Sequence, residues 1–216
     1  MTPSRLPSAL SDRCFLLPPA VPGRYQTTPH MPFAMPSTTQ NDILRFWFSE
    51  LTPQQHFAKD VALDESIRSR FGPTLEAAAR CELFPWRATP EGRLAEILVL
   101  DQFSRNVYRD TVRAFAQDAL ALALAQELVT SGQDHSLPTA QRVFAYMPYM
   151  HSESALIHEQ ALKLFAQPGM ENNLDFERRH KAIIDRFGRY PHRNAVLGRT
   201  STPEELAFLS EPGSSF

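Results

Sequence analysis

The chain has 216 residues, an ordinary apolar content of 43% and a net charge of -2. That length supports one good-sized core without disulfides or a structural metal, and the near-neutral charge excludes a general nucleic-acid binder with a strongly basic face. The two cysteines, Cys14 and Cys81, lie in unlike contexts and form no disulfide framework or metal-ligand spacing, so a reducing, cytoplasmic compartment is the simplest expectation and no cofactor is implied.

Residues 1–38 do not read like the rest. They hold eight of the 18 prolines, at positions 3, 7, 18, 19, 22, 29, 32 and 36, and no apolar periodicity survives that punctuation. A disordered arm is expected there, followed by a single domain over 39–216. The arm carries +2, from Arg5, Arg13 and Arg24 against Asp12, which leaves -4 for the remainder. Its apolar patch Cys14 to Leu17 is too short for a secretory segment and runs into Pro18 and Pro19, so neither export nor a membrane partner is expected. The arm faintly resembles a transit peptide in its arginines and serines, but its prolines oppose the amphipathic helix that such a peptide needs. Translation beginning at Met31 or Met35 is the plainer alternative.

From Asn41 onward the pattern is helical and no convincing strand is legible. Asn41 or Thr39 can cap a first helix with the face Ile43, Leu44, Trp47 and Phe48. A second runs from Asp64 to Arg80, with a kink or break expected at Gly72 and Pro73. Thr89, Pro90 and Glu91 announce a third that continues through LAEILVLDQFSRNVY. Residues 119–129 alternate as a strand would, yet Ala and Leu lead the helix scale and Gly132 supplies a stop, so a helix is expected. A fifth runs from about Thr139 to Pro148, a sixth from a Ser152 cap to Gln167, and a seventh from about Leu174 to Phe187. Thr202, Pro203 and Glu205 form a capping box for the last. About eight helices joined by modest loops imply an all-α fold of antiparallel helix pairs. Trp47, Trp86 and most Phe side chains belong to its core.

Three polar clusters interrupt this apolar background. On the third helix Leu94 and Leu98 set a stripe, and Asp101 and Arg105 follow on the same face, where hydrophobes are expected. They pair either as a buried structural bridge or as part of a site, whereas Arg109 and Arg113 read as solvated. In MPYMHSESALIHEQ, Ser152 caps a helix with His151 just outside it and Glu153 in its first turn. Beyond capping, His151 and Glu153 form a candidate proton-transfer pair, the carboxylate orienting the imidazole. No HExxH or Cys-His spacing supports a metal. The third cluster, Gly188 to Thr200, carries Arg189, His192, Arg193, Asn194 and Arg199 with no carboxylate, a set suited to carboxylate or phosphate oxygens.

The segments LDQFSRNVYRDTVRAFAQDALALALA, RVFAYMPYMHSE and HKAIIDRFGRYPHRNAVLGRTSTPEELAFL, in this order and spacing, resemble the bacterial domain of unknown function 924 family over about Asp42 to Leu209. The resemblance implies a helical, tetratricopeptide-repeat-like fold and supplies no reaction. The family pattern has proline where this chain has Ser104, tryptophan near His56 and phenylalanine where this chain has Tyr190; a proline at Ser104 would end or kink the third helix. No 34-residue repeat is legible.

Two function classes follow. In one, helix pairs enclose a pocket in which Arg189, His192, Arg193, Asn194 and Arg199 hold an anionic small molecule, Asp101 and Arg105 line it, and His151 with Glu153 serves hydrolysis or group transfer. In the other, the same residues form an internal network within a scaffold that binds a protein partner, the loop arginines neutralising Asp101, Glu153 and Asp185. The first is preferred because only Asp101 and Glu153 read as inward acids, which leaves positive charge over, and uncompensated buried charge is costly.

Overall fold

A computed structural model describes residues 37–214. The expected disordered arm, apart from residues 37 and 38, lies outside the described residues, as do Cys14 and the two alternative start methionines.

Thr39 opens α1 (Gln40–Arg45) with a capping box: its hydroxyl accepts from the Asp42 N–H at 3.3 Å, and the Asp42 carboxylate accepts from the Thr39 N–H at 3.0 Å. The helix then widens into a π-helical turn, Phe46–Glu50, which brings Trp47 into the core with no exposed surface. Helix α2 (Val61–Ala79) starts at Asp60 and runs through Gly72 and Pro73 without the expected break. Proline costs a helix interior about 3 kcal/mol, but Ile67, Phe71, Leu75 and Ala78 form one buried face across it. At about 1.5–3 kcal/mol for each large side chain, that face outweighs the lost hydrogen bond.

Thr89 caps α3 (Pro90–Leu98) through the Gly92 N–H at 3.1 Å. The rod continues as a π-helical turn, Val99–Phe103, and as α4 (Ser104–Val107), with helical dihedrals at both junctions. The helix is therefore continuous past Ser104, as expected, but its hydrogen-bond register widens at Asp101. Every residue from Leu94 to Ser104 is buried, so this rod is the centre of the molecule. Helix α5 (Asp118–Thr130) ends before Gly132, whose φ of +69° only glycine adopts at no steric cost.

Helix α6 (Thr139–Met150) passes through Pro148 instead of ending there, again on a buried face that includes Phe144, Tyr146, Met147 and Tyr149. Helix α7 (Ala155–Phe165) starts at Ser154, three residues after His151, so Ser152 is not its cap. Helix α8 (Glu171–Phe187) closes at Gly188, φ +68°, and α9 (Pro203–Leu209) has the expected Thr202–Glu205 capping box. With α3 and α4 counted as one rod, the described residues form eight helices and no strand.

Helices α5 to α8 pack each on the next, while α1, α5 and α6 pack on α3 and α2 packs on α4. An aromatic group of Phe46, Trp47, Phe71, Phe103 and Phe144 fills the main core, with Phe71 and Phe103 stacked at 5.3 Å; Trp86 is only partly buried against it. A smaller cluster of Ile183, Ile184 and Tyr190 sits under Phe187 and Phe208. Among the described residues no helix is long and apolar enough to cross a membrane.

Candidate functional site

The π-helical turn sets Asp101 fully inside the protein, where a lone carboxylate would be unsustainable. Arg105 neutralises it, Nη1 lying 3.1 Å from Oδ1, and Gln102 donates to Oδ2 at 2.6 Å. Burial alone would raise its pKa, but the charge of Arg105, followed by His151, holds it well below the usual carboxylate range. Asp101 is therefore ionised and only accepts hydrogen bonds.

His151, the residue that ends α6, places Nδ1 2.7 Å from Asp101 Oδ1. Since Asp101 has no proton to give, Nδ1 is the donor. Nε2 then carries the lone pair, makes no hydrogen bond among the described residues, and belongs to a ring that lines a cleft of about 390 Å³. Burial, reinforced by Arg105, lowers the His151 pKa despite the opposing pull of Asp101, so the ring is neutral at pH 7.

Asp118, Glu153 and Arg193 share the cleft wall. Asp118 receives both Arg105 amino groups, at 2.9 and 3.1 Å, and Arg193 Nη1 at 3.2 Å. The buried Arg193 guanidinium lies between the rings of Phe115 and Tyr190, 4.7 and 4.6 Å from their centroids, an arrangement a planar cation favours. Glu153 turns away from His151: Arg199 clamps it at 2.6 and 2.9 Å, and the Tyr190 N–H donates to it at 2.8 Å. Burial opposes its ionisation, but the Arg199 hydrogen bonds win and its pKa is lowered. The expected His151–Glu153 pair is thus replaced by Asp101–His151, because a buried acid fifty residues upstream reaches the ring first.

The other expected ligand groups are committed elsewhere. Arg189 grips Glu205 at 2.7 and 2.8 Å, and Asn194 donates to Glu205 at 3.2 Å and to Ser201 at 3.1 Å. His192 lies 5.5 Å from the Tyr190 ring and away from the cleft lining, its pKa pushed down to about 4 by burial and then by Arg193. Of the nine expected site residues, His151, Glu153 and Arg193 line the cleft. Asp101 and Arg105 stand behind it, while Arg189, His192, Asn194 and Arg199 do not line it.

The expected surplus of positive charge is absent. Arg105, Arg189, Arg193 and Arg199 face Asp101, Asp118, Glu153 and Glu205, four charges against four. Asp118 and Glu205 were missing from the inward acids because first-turn helix positions explain them locally, and only the tertiary fold turns them toward arginines. Asp185 pairs with Lys181 at 2.7 Å rather than with the loop arginines. Arg109 and Arg113 are not simply solvated either, for they bind Asp64 and Glu76.

A further group escaped the sequence. The carbonyls of Met150, His151 and Ser152, at the open end of α6, accept from Tyr190 Oη at 2.6 Å, Arg193 Nη2 at 3.0 Å and His158 Nε2 at 2.9 Å. Fully buried His158 is held in turn by Glu177 at 2.7 Å, whose pKa burial raises. Three elements thereby fix the turn that carries the His151 ring. The apolar spacing around His158 gives no sign of this, since its partners come from α8 and from the loop after it. Among the described residues no group of three or more His, Cys, Asp or Glu side chains is placed to hold a metal ion.

An all-helical body with a buried aspartate–histidine dyad opening on a cleft is the class that fold and site define. The chain belongs to the family described as "Bacterial protein of unknown function (DUF924)", whose model matches residues 43–213. It is also similar to the solved structure of a protein of unknown function, ATU0120, from Agrobacterium tumefaciens, with 39% identity and a TM-score of 0.75 over 79% of this chain and 96% of that one. No curated protein matches the chain.

Proposed function

We propose that the cleft is a small-molecule active site in which His151 acts as general base, in a hydrolysis or group-transfer reaction. The observation that carries the reading is the hydrogen bond from His151 Nδ1 to a buried, ionised Asp101, which leaves the Nε2 lone pair at the cleft. Nε2 takes a proton from water or a substrate hydroxyl, and Asp101 stabilises the imidazolium that forms, as a fixed carboxylate does for a catalytic histidine. Arg105 keeps Asp101 ionised, and Arg193 is the cation on the cleft wall against which negative charge develops on the substrate. With charges balanced, a resting anion finds no uncompensated arginine. The pull of Arg193 therefore counts chiefly in the transition state.

A second reading, a non-catalytic and tetratricopeptide-repeat-like interaction scaffold, is favoured by the closed pairs of Arg189 with Glu205 and Arg199 with Glu153. Nitrogen NMR of the histidine rings at pH 7.5 tests the dyad directly. His151 is expected as the neutral Nδ1–H tautomer, and an Nε2–H ring or an imidazolium would remove the base. The reaction itself is sought on a panel of esters, amides and phosphoesters. His151→Asn should lower turnover of any accepted substrate by about 10²–10⁴-fold while the fold survives. Unchanged turnover in that variant would sink the catalytic role.

A further inference from the structure

We infer that the cleft takes a small amphiphile, an apolar body of up to about ten carbons ending in an uncharged hydrogen-bond donor such as a hydroxyl or an amide. As a statement about a substrate this rests on the general-base reading; as a statement about binding it stands on the shape and charge of the cleft.

The cleft lining is mixed in chemistry. His151, Ser152, Glu153, Asp118 and Arg193 are polar, and the larger share is apolar, with Val112, Phe115, Ala119, Leu122 and Leu197 among it. Val112 and Phe115 come from the turn before α5, Ala119 and Leu122 from its first two turns, where they are three apart and share a face, and Leu197 from the segment between α8 and α9. Val112 is 54% exposed although it belongs to this wall, an exposure that an apolar occupant would reduce. Ala119 lines the cleft with a single methyl group, and a much larger side chain there would take up part of its space. A volume of about 390 Å³ holds roughly a dozen heavy atoms, at ~30 Å³ for each water-sized unit.

The polar part restricts the head group. An anionic head would meet Asp118 and Glu153 as well as Arg193, and a cationic head would meet Arg193, so with each arginine already balanced neither sign gains. A hydroxyl or amide head can still donate to Nε2 of His151, which among the described residues of the cleft is the nitrogen with a free lone pair, while the body displaces water from the apolar wall.

The test is titration of the full chain at pH 7.5 with butan-1-ol, hexan-1-ol, octan-1-ol, octyl phosphate and inorganic phosphate. Binding is read by amide chemical-shift changes, with the ring nitrogens of His151 followed in the same samples. The dissociation constant should fall about fourfold per added methylene between four and eight carbons, which is the ~0.8 kcal/mol of a buried CH2 converted at 1.4 kcal/mol per tenfold. Octyl phosphate should bind no more tightly than octan-1-ol, and inorganic phosphate should leave the cleft resonances unmoved. Ala119→Trp should abolish the gain with chain length yet leave the His151 tautomer unchanged. Affinity independent of chain length overturns the inference, as does phosphate matching octyl phosphate, or a chain-length gain that persists in Ala119→Trp. An Nδ1–H ring with flat chain-length dependence defeats the amphiphile alone. The intended dependence with an Nε2–H ring defeats the general base and leaves the ligand class standing.

Discussion

Two buried polar clusters in this molecule are alike in charge and opposite in what they leave open. Around Asp101, two arginines, two aspartates and a histidine balance, yet one ring nitrogen of the cleft-lining His151 has no partner among the described residues. Around Glu205, Arg189, Asn194 and the Thr202 N–H fill both carboxylate oxygens, and the acceptor left over, Asn194 Oδ1, is buried and belongs to no residue of the cleft lining. The first has the form of a site and the second of a staple that ties the segment after α8 to α9. Counting charges does not separate them, because both sum to zero; an unspent lone pair on a residue that lines a cleft does. Arginine-rich stretches thus identify where a fold concentrates polar interaction, while the accessible valence shows where chemistry can enter.

The sharpest way to break the comparison is Asp101→Ala, which leaves Arg105 without its interior partner and His151 without its acceptor. Removing one partner from a buried ionic network costs roughly 3–5 kcal/mol, measurable by urea denaturation at pH 7.5. The same variant should also release the His151 tautomer, whereas no change at Glu205 or Thr202 should do so. If Asp101→Ala unfolds at the wild-type urea concentration, the buried dyad is not as drawn.

Acid should strain the fold through buried histidines, His151 in the first cluster and His180 and His192 against the Tyr190 ring. His151, His180 and His192 all have folded pKa values below 6.5, His180 at about 3 and His192 at about 4, with burial the main cause in each. Below pH 6.5 the unfolded chain binds protons that the folded one refuses, so stability is fully present above 6.5 and falls as pH drops toward 4. Near pH 5 the loss is on the order of 2 kcal/mol for each of the two deepest shifts. Depressed carboxylates such as Asp101 and Glu153 add their own losses only at lower pH. A melting temperature flat between pH 7 and 5 would contradict this.

The smallest effect belongs to the staple. Thr202→Ala deletes the hydroxyl that caps α9 and should cost about 1 kcal/mol, with the cleft resonances and the His151 ring unmoved. Perturbation of the cleft by this variant would mean that the two clusters are one coupled unit.

Much of the helix map was legible because its punctuation is chemical. Thr89 with Pro90, Thr202 with Glu205, and the glycines at 132 and 188 each mark an end that a local backbone rule requires. Pro73 and Pro148 misled because their cost is local while the burial that offsets it is tertiary. Asp101 and Arg105 stood out as charges on an apolar stripe, and they do pair. His151 was found, but its partner was sought two residues away instead of on another helix, since proximity in sequence is the only proximity a single chain displays. Asp118, Glu177 and His158 carried no signal at all, for each is ordinary on its own helix and acquires its role only when α5, α7 and α8 pack.

The widened turn at Val99–Phe103 has a consequence for how such a protein can be altered. A π turn accommodates one residue more than a regular turn, and each residue in a helix advances the next by about 100°. Deleting a single residue there would let the helix close regularly, and because the wide turn takes its extra residue at a smaller angle per step, everything after it would keep nearly its present face relative to Leu94 and Leu98. What would go is the local bulge from which Asp101 meets Arg105 and His151. The packing of the rod can thus outlive a change of length that its buried dyad cannot, and the arrangement is of the kind that lineages gain or lose by an inserted codon.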